Sequence, residues 1–514
     1  MFARVVVLVA AIGAGAFGVW RGTWAAGGSD SSCYTLMADA FARGQLQPST
    51  TLALAAPWPD AARTFAPGGF IPSPRQVDAA SPICSPGFSL LLAPLRAIGG
   101  RDAVFLLTPV AGMLLVWFTY LLGRQIADAS TGAGAAVVAA TMPVFLFQVV
   151  QPMNDVMVAM LWTAVVSLAA HVGRMRVSGS TALPGVAAMG AVTGLALLIR
   201  PNLAGALIPV LLWVVATAAR AGIAARATTV FLLSLAPFGA VIALLNWLLY
   251  GHALSFGYGS TTDLFSRAHV AANLRNYGMA LLNTQLAFPL LGLAAPVILP
   301  RAQRQLGWLA VAITATLAVT YLLYTPYPEW WYLRFFLPVL PMLTVLALVV
   351  VKATTRRTSV MVMVVVLLAT HAALSDATRQ ALDLRQLEGR FRTTADVVQE
   401  RLPQNAAFVT VWESGTVKYH AGREALMWDS LDPSWLDRAV DWLTARGYEP
   451  YLILEDWEEP TFRQRFAAHS RFGNVDWPPR FDIDRRVRIF SPADRVRYLA
   501  GEALPTETVR TNRR

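Results

Sequence analysis

The stretch WAAGGSDSSCYTLMADAF, residues 24–41, follows directly on an apolar run that begins near Phe2. It places two carboxylates, Asp30 and Asp39, with a cysteine and a tyrosine where the chain leaves a hydrophobic segment. The rest of the sequence makes that placement unusual. Of 514 residues, 55% are hydrophobic and 14% charged, whereas soluble domains carry about 25% charged residues. The deficit comes from repeated apolar runs of roughly 18–22 residues, long enough to cross ~30 Å of hydrocarbon as helices. They begin near residues 2, 103, 132, 153, 181, 203, 229, 279, 305, 335 and 358. The fold class read from this pattern is an all-α polytopic membrane domain of about eleven transmembrane helices. The first run also has the features of a cleaved signal peptide, with Arg4 before it and small residues after it. Either reading exports the segment that follows.

Basic residues set the expected orientation. With a cytoplasmic N-terminus, the inner loops carry Arg124, Arg174 with Arg176, Arg220 with Arg226, Arg301 with Arg304, and Lys352 with Arg356 and Arg357. The short outer loops QPMND and IRPN hold none and one. This is the positive-inside pattern, so the formal charge of +11 is mainly a topology signal. A nucleic-acid partner would need a contiguous basic face and a readable module, and neither is present. The acidic residues are complementary. Before residue 376 they are Asp30, Asp39, Asp60, Asp78, Asp102, Asp128, Asp155, Asp263 and Glu329. All but Asp128 fall on the predicted outer side or its interface. Carboxylates are costly in a bilayer and mark sites or pathways, so any chemistry is expected to face outward.

The organisation read from these patterns is a transmembrane domain over 1–375, with a long first outer loop at 21–102, followed by a soluble extracytoplasmic α/β domain at 376–514. The outer loop contains two candidate surface helices, YTLMADAFARGQL and PGFSLLLAPLRAIGG, separated by a proline- and glycine-rich connector. The two cysteines of the chain, Cys33 and Cys84, both lie in this loop. That spacing is compatible with a disulfide or with two unrelated buried thiols. After residue 375 the strand candidates AAFVTVW, PYLILED and RVRIF alternate with the helix candidates SWLDRAVDWLTARG and TFRQRFAAH. The tail from about Gly501 reads as disordered.

A membrane enzyme that moves a group from a lipid carrier to a hydroxyl needs a carboxylate for the acceptor proton, cations or a metal for the leaving phosphate, and an apolar groove. Asp30 stands at the outer end of the first span and Asp155 in the turn between the third and fourth. Arg200, Arg334 and His252 stand at the outer ends of others, and all could meet at one outer cleft. Each residue also has a plainer reading. Asp30 could be a solvated flanking residue and Asp155 an N-cap, while the arginines could snorkel at the interface. Trp330 and Trp331 fit an aromatic belt as well as a sugar-stacking platform. His252 fits a structural role better than a ligand. No metal cluster has diagnostic spacing, and there is no glycine-rich phosphate loop.

The order of motifs resembles the GT-C superfamily of polyprenyl-phosphate-sugar-dependent glycosyltransferases, especially the bacterial protein O-mannosyltransferases and the aminoarabinose transferase of lipid A. The resemblance runs through GSDSSCYTLMADAFARGQL, CSPGFSLLLAP, QPMNDVMVAMLW, GLALLIRPN, NWLLYGHALSFGYG and YPEWWYLRFFLPVLP, and covers most of residues 1–350. It implies Asp30 as the general base of an inverting transfer and Asp155 as the second acidic position. From their places at the outer ends of spans, Arg200 and Arg334 are the candidate holders of the donor phosphate, and Tyr34, His252, Trp330 and Trp331 the candidate substrate contacts. Many relatives carry an acidic pair where this chain has Asp30 followed by Ser31, which puts a divalent-cation (Mg or Mn) version of the mechanism in doubt. The implied partners are a polyprenyl-phosphate sugar, a glycan, glycolipid or protein acceptor, and the lipid bilayer, with no nucleic acid. The implied location is the bacterial plasma (inner) membrane, with the C-terminal domain outside. The competing classes are a transporter or flippase of lipid-linked precursors and a catalytically inactive assembly protein. The transporter is disfavoured by the absence of an evident internal repeat and by charges that gather at span ends; the inactive relative stays open.

Overall fold

The computed structural model describes residues 1–174, 182–259 and 261–511; Arg176, among the inner-loop arginines, lies outside them. The chain divides into two compact units. The first comprises residues 1–22, 105–243 and 259–384, the second residues 23–104, 244–258 and 385–514.

The first unit is helical. Across the described residues six helices are long and apolar enough to cross a membrane, or up to ten if each of four bent pairs counts as one span. The chain is a multi-pass membrane protein. Some expected spans are broken. The run starting near residue 132 is Ala129–Thr141 and Pro143–Val149, bent by 62°, because Pro143 starts a new helix where it has no N–H to give. The run near 279 is bent by 106°. There Leu286 and Ala287 both take the left-handed backbone, at φ 52° each, and Pro289 follows. The run near 335 is bent by 82° between Trp330–Phe336 and Leu340–Thr355. The run near 181 folds as the shorter helix Leu183–Ile199.

Helix Asp155–Arg174 is the unit's interior, with 83% of its apolar window buried. It packs against Leu107–Ile126 and Leu183–Ile199. Lipid tails are as apolar as leucine, so such packing depends on close fit and small residues. Gly123 and Gly132 show this: a Cβ on Gly132 would lie 2.5 Å from the Tyr120 carbonyl oxygen, and one on Gly123 would lie 2.6 Å from the Gly132 Cα. Asp128, the acidic residue outside the outer set, caps helix Ala129–Thr141 by accepting the Thr131 N–H at 2.9 Å and also pairs with Lys352.

Among its described residues the second unit carries eight strands: β1 (Phe70–Pro72), β2 (Ala80–Pro82), β3 (Ala406–Val409), β4 (Glu424–Leu426), β5 (Glu449–Glu455), β6 (Phe481–Ile483), β7 (Val487–Phe490) and β8 (Glu507–Val509). β1 and β2 form a small antiparallel pair; the others form a mixed sheet in the order β4-β3-β5-β7-β6-β8. The period of two along β5 divides its core. Leu452 and Leu454 join one apolar cluster, and Tyr451 and Ile453 the other. The first cluster also takes Trp58, Ala61 and Phe65, so the connector between the cysteines builds the same core as the C-terminal strands. β8 corrects the expected disorder of the tail. It pairs in parallel with β6, Arg401 bonds Glu507 at 2.9 Å, and Asp484 accepts the Thr511 N–H at 3.1 Å.

The helix expected over YTLMADAFARGQL begins earlier, at Gly28, and runs to Ala42. It is not a surface helix, because every residue from Ser31 to Ala40 is buried and helix Gly87–Gly99 packs against it. Cys33 and Cys84 form a disulfide across a separation of 51 residues. Closing a loop of that length contributes on the order of 4 kcal/mol in the chain-entropy account.

Candidate active site

In the first unit the chain reversals after Leu183–Ile199 and before Leu340–Thr355 bring three of the expected residues together. Asp155 opens helix Asp155–Arg174 with its side chain 2% exposed. Arg200, the residue closing Leu183–Ile199, donates from Nη1 to Asp155 Oδ1 at 2.7 Å. Arg334 Nη1 stands 3.9 Å from Asp155 Oδ2. Asp155 is thus an ion-pair partner of two guanidiniums.

Aromatic faces hold both cations. The Arg200 guanidinium carbon lies 5.3 Å from the Phe335 ring centre and 5.8 Å from that of Tyr321. That of Arg334 lies 5.2 Å from Tyr332 and 5.4 Å from Phe335. Phe335 and Tyr321 stack at 4.6 Å, and Asn202 donates to the Tyr321 hydroxyl at 3.2 Å. Tyr321, Phe335 and Asn202 were not singled out from the sequence. Asn202 had a signal, as the residue two after Arg200 in IRPN; Tyr321, inside an apolar run, had none. Two guanidiniums thus converge on one carboxylate among aromatic rings, where electrostatic attraction is strong. Paired guanidiniums are donors whose geometry suits a phosphate.

Trp331 stacks on Phe147 at 5.4 Å and Trp330 meets the same ring edge-on at 5.3 Å. Trp330 Nε1 donates to Gln380 Oε1 at 2.7 Å. Both indoles are half-buried.

The second unit holds the other expected residues. Asp30 is half-buried in the first turn of Gly28–Ala42, where the helix dipole favours negative charge. Tyr34 is buried, its ring edge-on to Phe88 at 5.2 Å. His252 is exposed, and its Nδ1 accepts the Leu254 N–H at 3.2 Å. Asp39, two turns after Asp30, is bound by Arg96 at 2.7 Å and by Arg43. Among the described residues no three His, Cys, Asp or Glu side chains converge on one point, and the neighbours of Asp155 are cations.

The same unit contains a buried acidic group that the sequence did not reveal. Glu455 is bonded by Arg390 Nε at 3.0 Å and by Trp457 Nε1 at 3.0 Å. Glu458 accepts the backbone N–H of Trp412 at 3.2 Å and of Glu455 at 3.0 Å. Glu413 is fully buried, and neither carboxylate oxygen has a hydrogen-bond partner. Burial first, then Glu455, raises the Glu413 carboxyl well above its ordinary 4.5 against the pull of Arg390, and burial pushes Glu458 up to about 7. A carboxyl whose folded pKa is raised stabilises the fold below its unfolded pKa. It loses that contribution as pH rises, at up to ~1.4 kcal/mol per unit, until the folded group ionises. Glu413→Gln removes this slope. We expect its melting temperature to match the parent's near pH 5 and exceed it by several degrees at pH 8, measured by thermal unfolding in detergent. Parallel pH curves for the two proteins would refute the assignment.

No family model matches this sequence, and no curated protein does either. Solved structures do. ArnT from Cupriavidus metallidurans bound to undecaprenyl phosphate aligns over 90% of this chain and 95% of its own, at 14% identity and TM-score 0.60. The Archaeoglobus fulgidus oligosaccharyltransferase tethered with an acceptor peptide aligns over 93% of this chain and 72% of its own, at 13% identity and TM-score 0.54. The archaeal oligosaccharyltransferase AglB from Archaeoglobus fulgidus, in complex with an inhibitory peptide and a dolichol-phosphate, aligns over 89% and 70%, at 12% identity and TM-score 0.54. The chain has the fold of these membrane proteins.

Proposed function

We propose that this protein is a glycosyltransferase that moves a monosaccharide, a hexose or pentose, from a polyprenyl-phosphate carrier to a hydroxyl of a glycan, glycolipid or protein. The observation that carries the reading is the convergence of two guanidiniums, Arg200 and Arg334, on Asp155 among aromatic faces. It is supported by likeness in fold to proteins solved with undecaprenyl phosphate and dolichol-phosphate. In this reading the guanidiniums bind the donor phosphate and stabilise the charge it gains as the sugar leaves. Asp30 takes the acceptor proton. The acceptor oxygen forms a bond to the anomeric carbon, the bond from that carbon to the phosphate oxygen breaks, and polyprenyl phosphate departs with inversion at the sugar. Asp155 fixes the two arginines in place. In the same reading Trp330 and Trp331 offer rings to the donor sugar, and Tyr34 and His252 are assigned to substrate binding. The arginine asymmetry between loops supports a bacterial plasma-membrane location with the C-terminal domain outside.

The test is purified protein in lipid nanodiscs with a radiolabelled polyprenyl-phosphate sugar and crude acceptor glycan, beside a glycan and glycolipid comparison of a deletion strain with its parent. We expect label to move to the acceptor and a sugar to be missing from the deletion strain. Movement of the intact donor across the bilayer without sugar transfer would favour the flippase instead.

A further inference from the structure

The second unit contains a cavity of about 280 Å³ that no sequence motif pointed to. Gly28 and Ser29, the two residues before Asp30, line it together with the segment 66–72, Val411, Trp412 and Met427; Arg63, Asp429 and Ser430 form its polar side. Its walls are of two kinds. One is the half-buried Trp412 indole, set edge-on against Trp457 at 5.4 Å. Its backbone N–H is tied to buried Glu458 at 3.2 Å. The other is polar: the exposed guanidinium of Arg63, the exposed carboxylate of Asp429 and the Ser430 hydroxyl.

The floor is held open by backbone. Gly69 takes φ +89°, and a Cβ there would stand 2.4 Å from the Ser29 carbonyl oxygen, so the turn lies directly on the start of the Asp30 helix. Gly28, at φ +61°, faces Trp412, whose ring a Cβ would meet at 3.5 Å. Gly68 donates its N–H to Ser414 Oγ at 2.9 Å, which fixes the turn.

We propose that this cavity binds a pyranose ring of the acceptor glycan. A sugar presents an apolar C–H face and a rim of vicinal hydroxyls. It therefore calls for one aromatic face beside paired charged donors and acceptors, and Trp412 with Arg63 and Asp429 supplies both. The volume is near the lower end for small-molecule pockets, about 300 Å³, which suits a single ring and not an extended peptide. The charged side chains of Arg63 and Asp429 argue against a lipid tail. The word acceptor rests on the transferase reading; the binding of a sugar does not.

The experiment is saturation-transfer NMR on the full-length protein in nanodiscs, with a panel of methyl pyranosides at millimolar concentration. The Asp30→Asn variant is used so that turnover plays no part. At least one pyranoside should bind with its C–H face most strongly saturated. Trp412→Ala should weaken binding at least tenfold and Trp412→Phe much less. Since Trp412→Ala removes the Trp457 contact, Gly68→Leu provides a second route. A Cβ on Gly68 meets nothing closer than Ser414 Oγ at 3.5 Å, and the added side chain fills the cavity. It should abolish binding while leaving the melting temperature within a few degrees. The proposal is overturned if no pyranoside binds, if binding survives both Trp412→Ala and Gly68→Leu, or if an acceptor peptide is what Gly68→Leu displaces. Sugar binding without transfer by the parent would leave the pocket standing and remove the transferase reading. Transfer with no pocket binding would do the reverse.

Discussion

Asp30→Asn is expected to lower sugar transfer from a polyprenyl-phosphate donor by about 10²–10⁴-fold, the usual loss when a general base is removed. The amide has nearly the shape of the carboxylate but accepts no proton at neutral pH. Asp30 occupies the first turn of Gly28–Ala42, a helix buried from Ser31 to Ala40 and joined through Cys33 to Cys84. A change of one oxygen to nitrogen in that rigid setting leaves the fold intact, so the loss should appear in kcat with the donor KM close to the parent's. Asp30→Glu, which restores a carboxylate at a displaced position, should recover part of the rate. The measurement is initial velocity in nanodiscs at saturating donor, with the donor KM determined beside it. Parent-like turnover by Asp30→Asn would show that the residue is only a flank of the membrane exit.

The spans were legible because hydrophobic runs of fixed length have few alternatives in a bilayer. Their bends were not. A left-handed pair such as Leu286–Ala287 carries no glycine to announce it, and backbone broken at membrane depth is tolerated only where protein covers it. That is tertiary information. In the C-terminal segment β3, β5 and β7 were readable from alternation and β-branched content. β4, β6 and β8, each of three residues, are too short to show a period and exist because neighbours pair with them. The site divides the same way. Asp155, Arg200 and Arg334 were visible as charges at span ends, but nothing in the chain announces that residues 45 apart are joined. Nor does it announce that Tyr321 and Phe335 face their guanidiniums. Glu413 was invisible for a different reason. WESG reads as a polar turn, and only the packed structure shows it to be fully buried.

Arg200→Ala and Asp155→Asn should move the donor KM in opposite directions. If the two arginines hold the carrier phosphate, Arg200→Ala removes a charge-assisted contact of about 1.5–3 kcal/mol, a roughly 10–150-fold rise in donor KM. It also strips Asp155, whose side chain is 2% exposed, of its 2.7 Å partner, and loss of one member of a buried pair costs about 3–5 kcal/mol of stability. Asp155→Asn does something else. The amide oxygen still accepts from Arg200, so the geometry is largely kept, but the carboxylate charge is gone and the cluster becomes more positive by one charge. An anionic carrier is then held more tightly both as donor and as product. Donor KM should fall, and kcat should fall with it as release of polyprenyl phosphate becomes slow. Arg334→Ala, whose guanidinium stands at 3.9 Å and not 2.7 Å, should show a smaller rise in KM than Arg200→Ala. Direct titration with polyprenyl phosphate checks the ordering without turnover: Asp155→Asn tightest, then parent, Arg334→Ala and Arg200→Ala. If Asp155→Asn instead weakened the lipid as much as Arg200→Ala did, the cluster would be an ordinary structural ion pair and the phosphate would bind elsewhere.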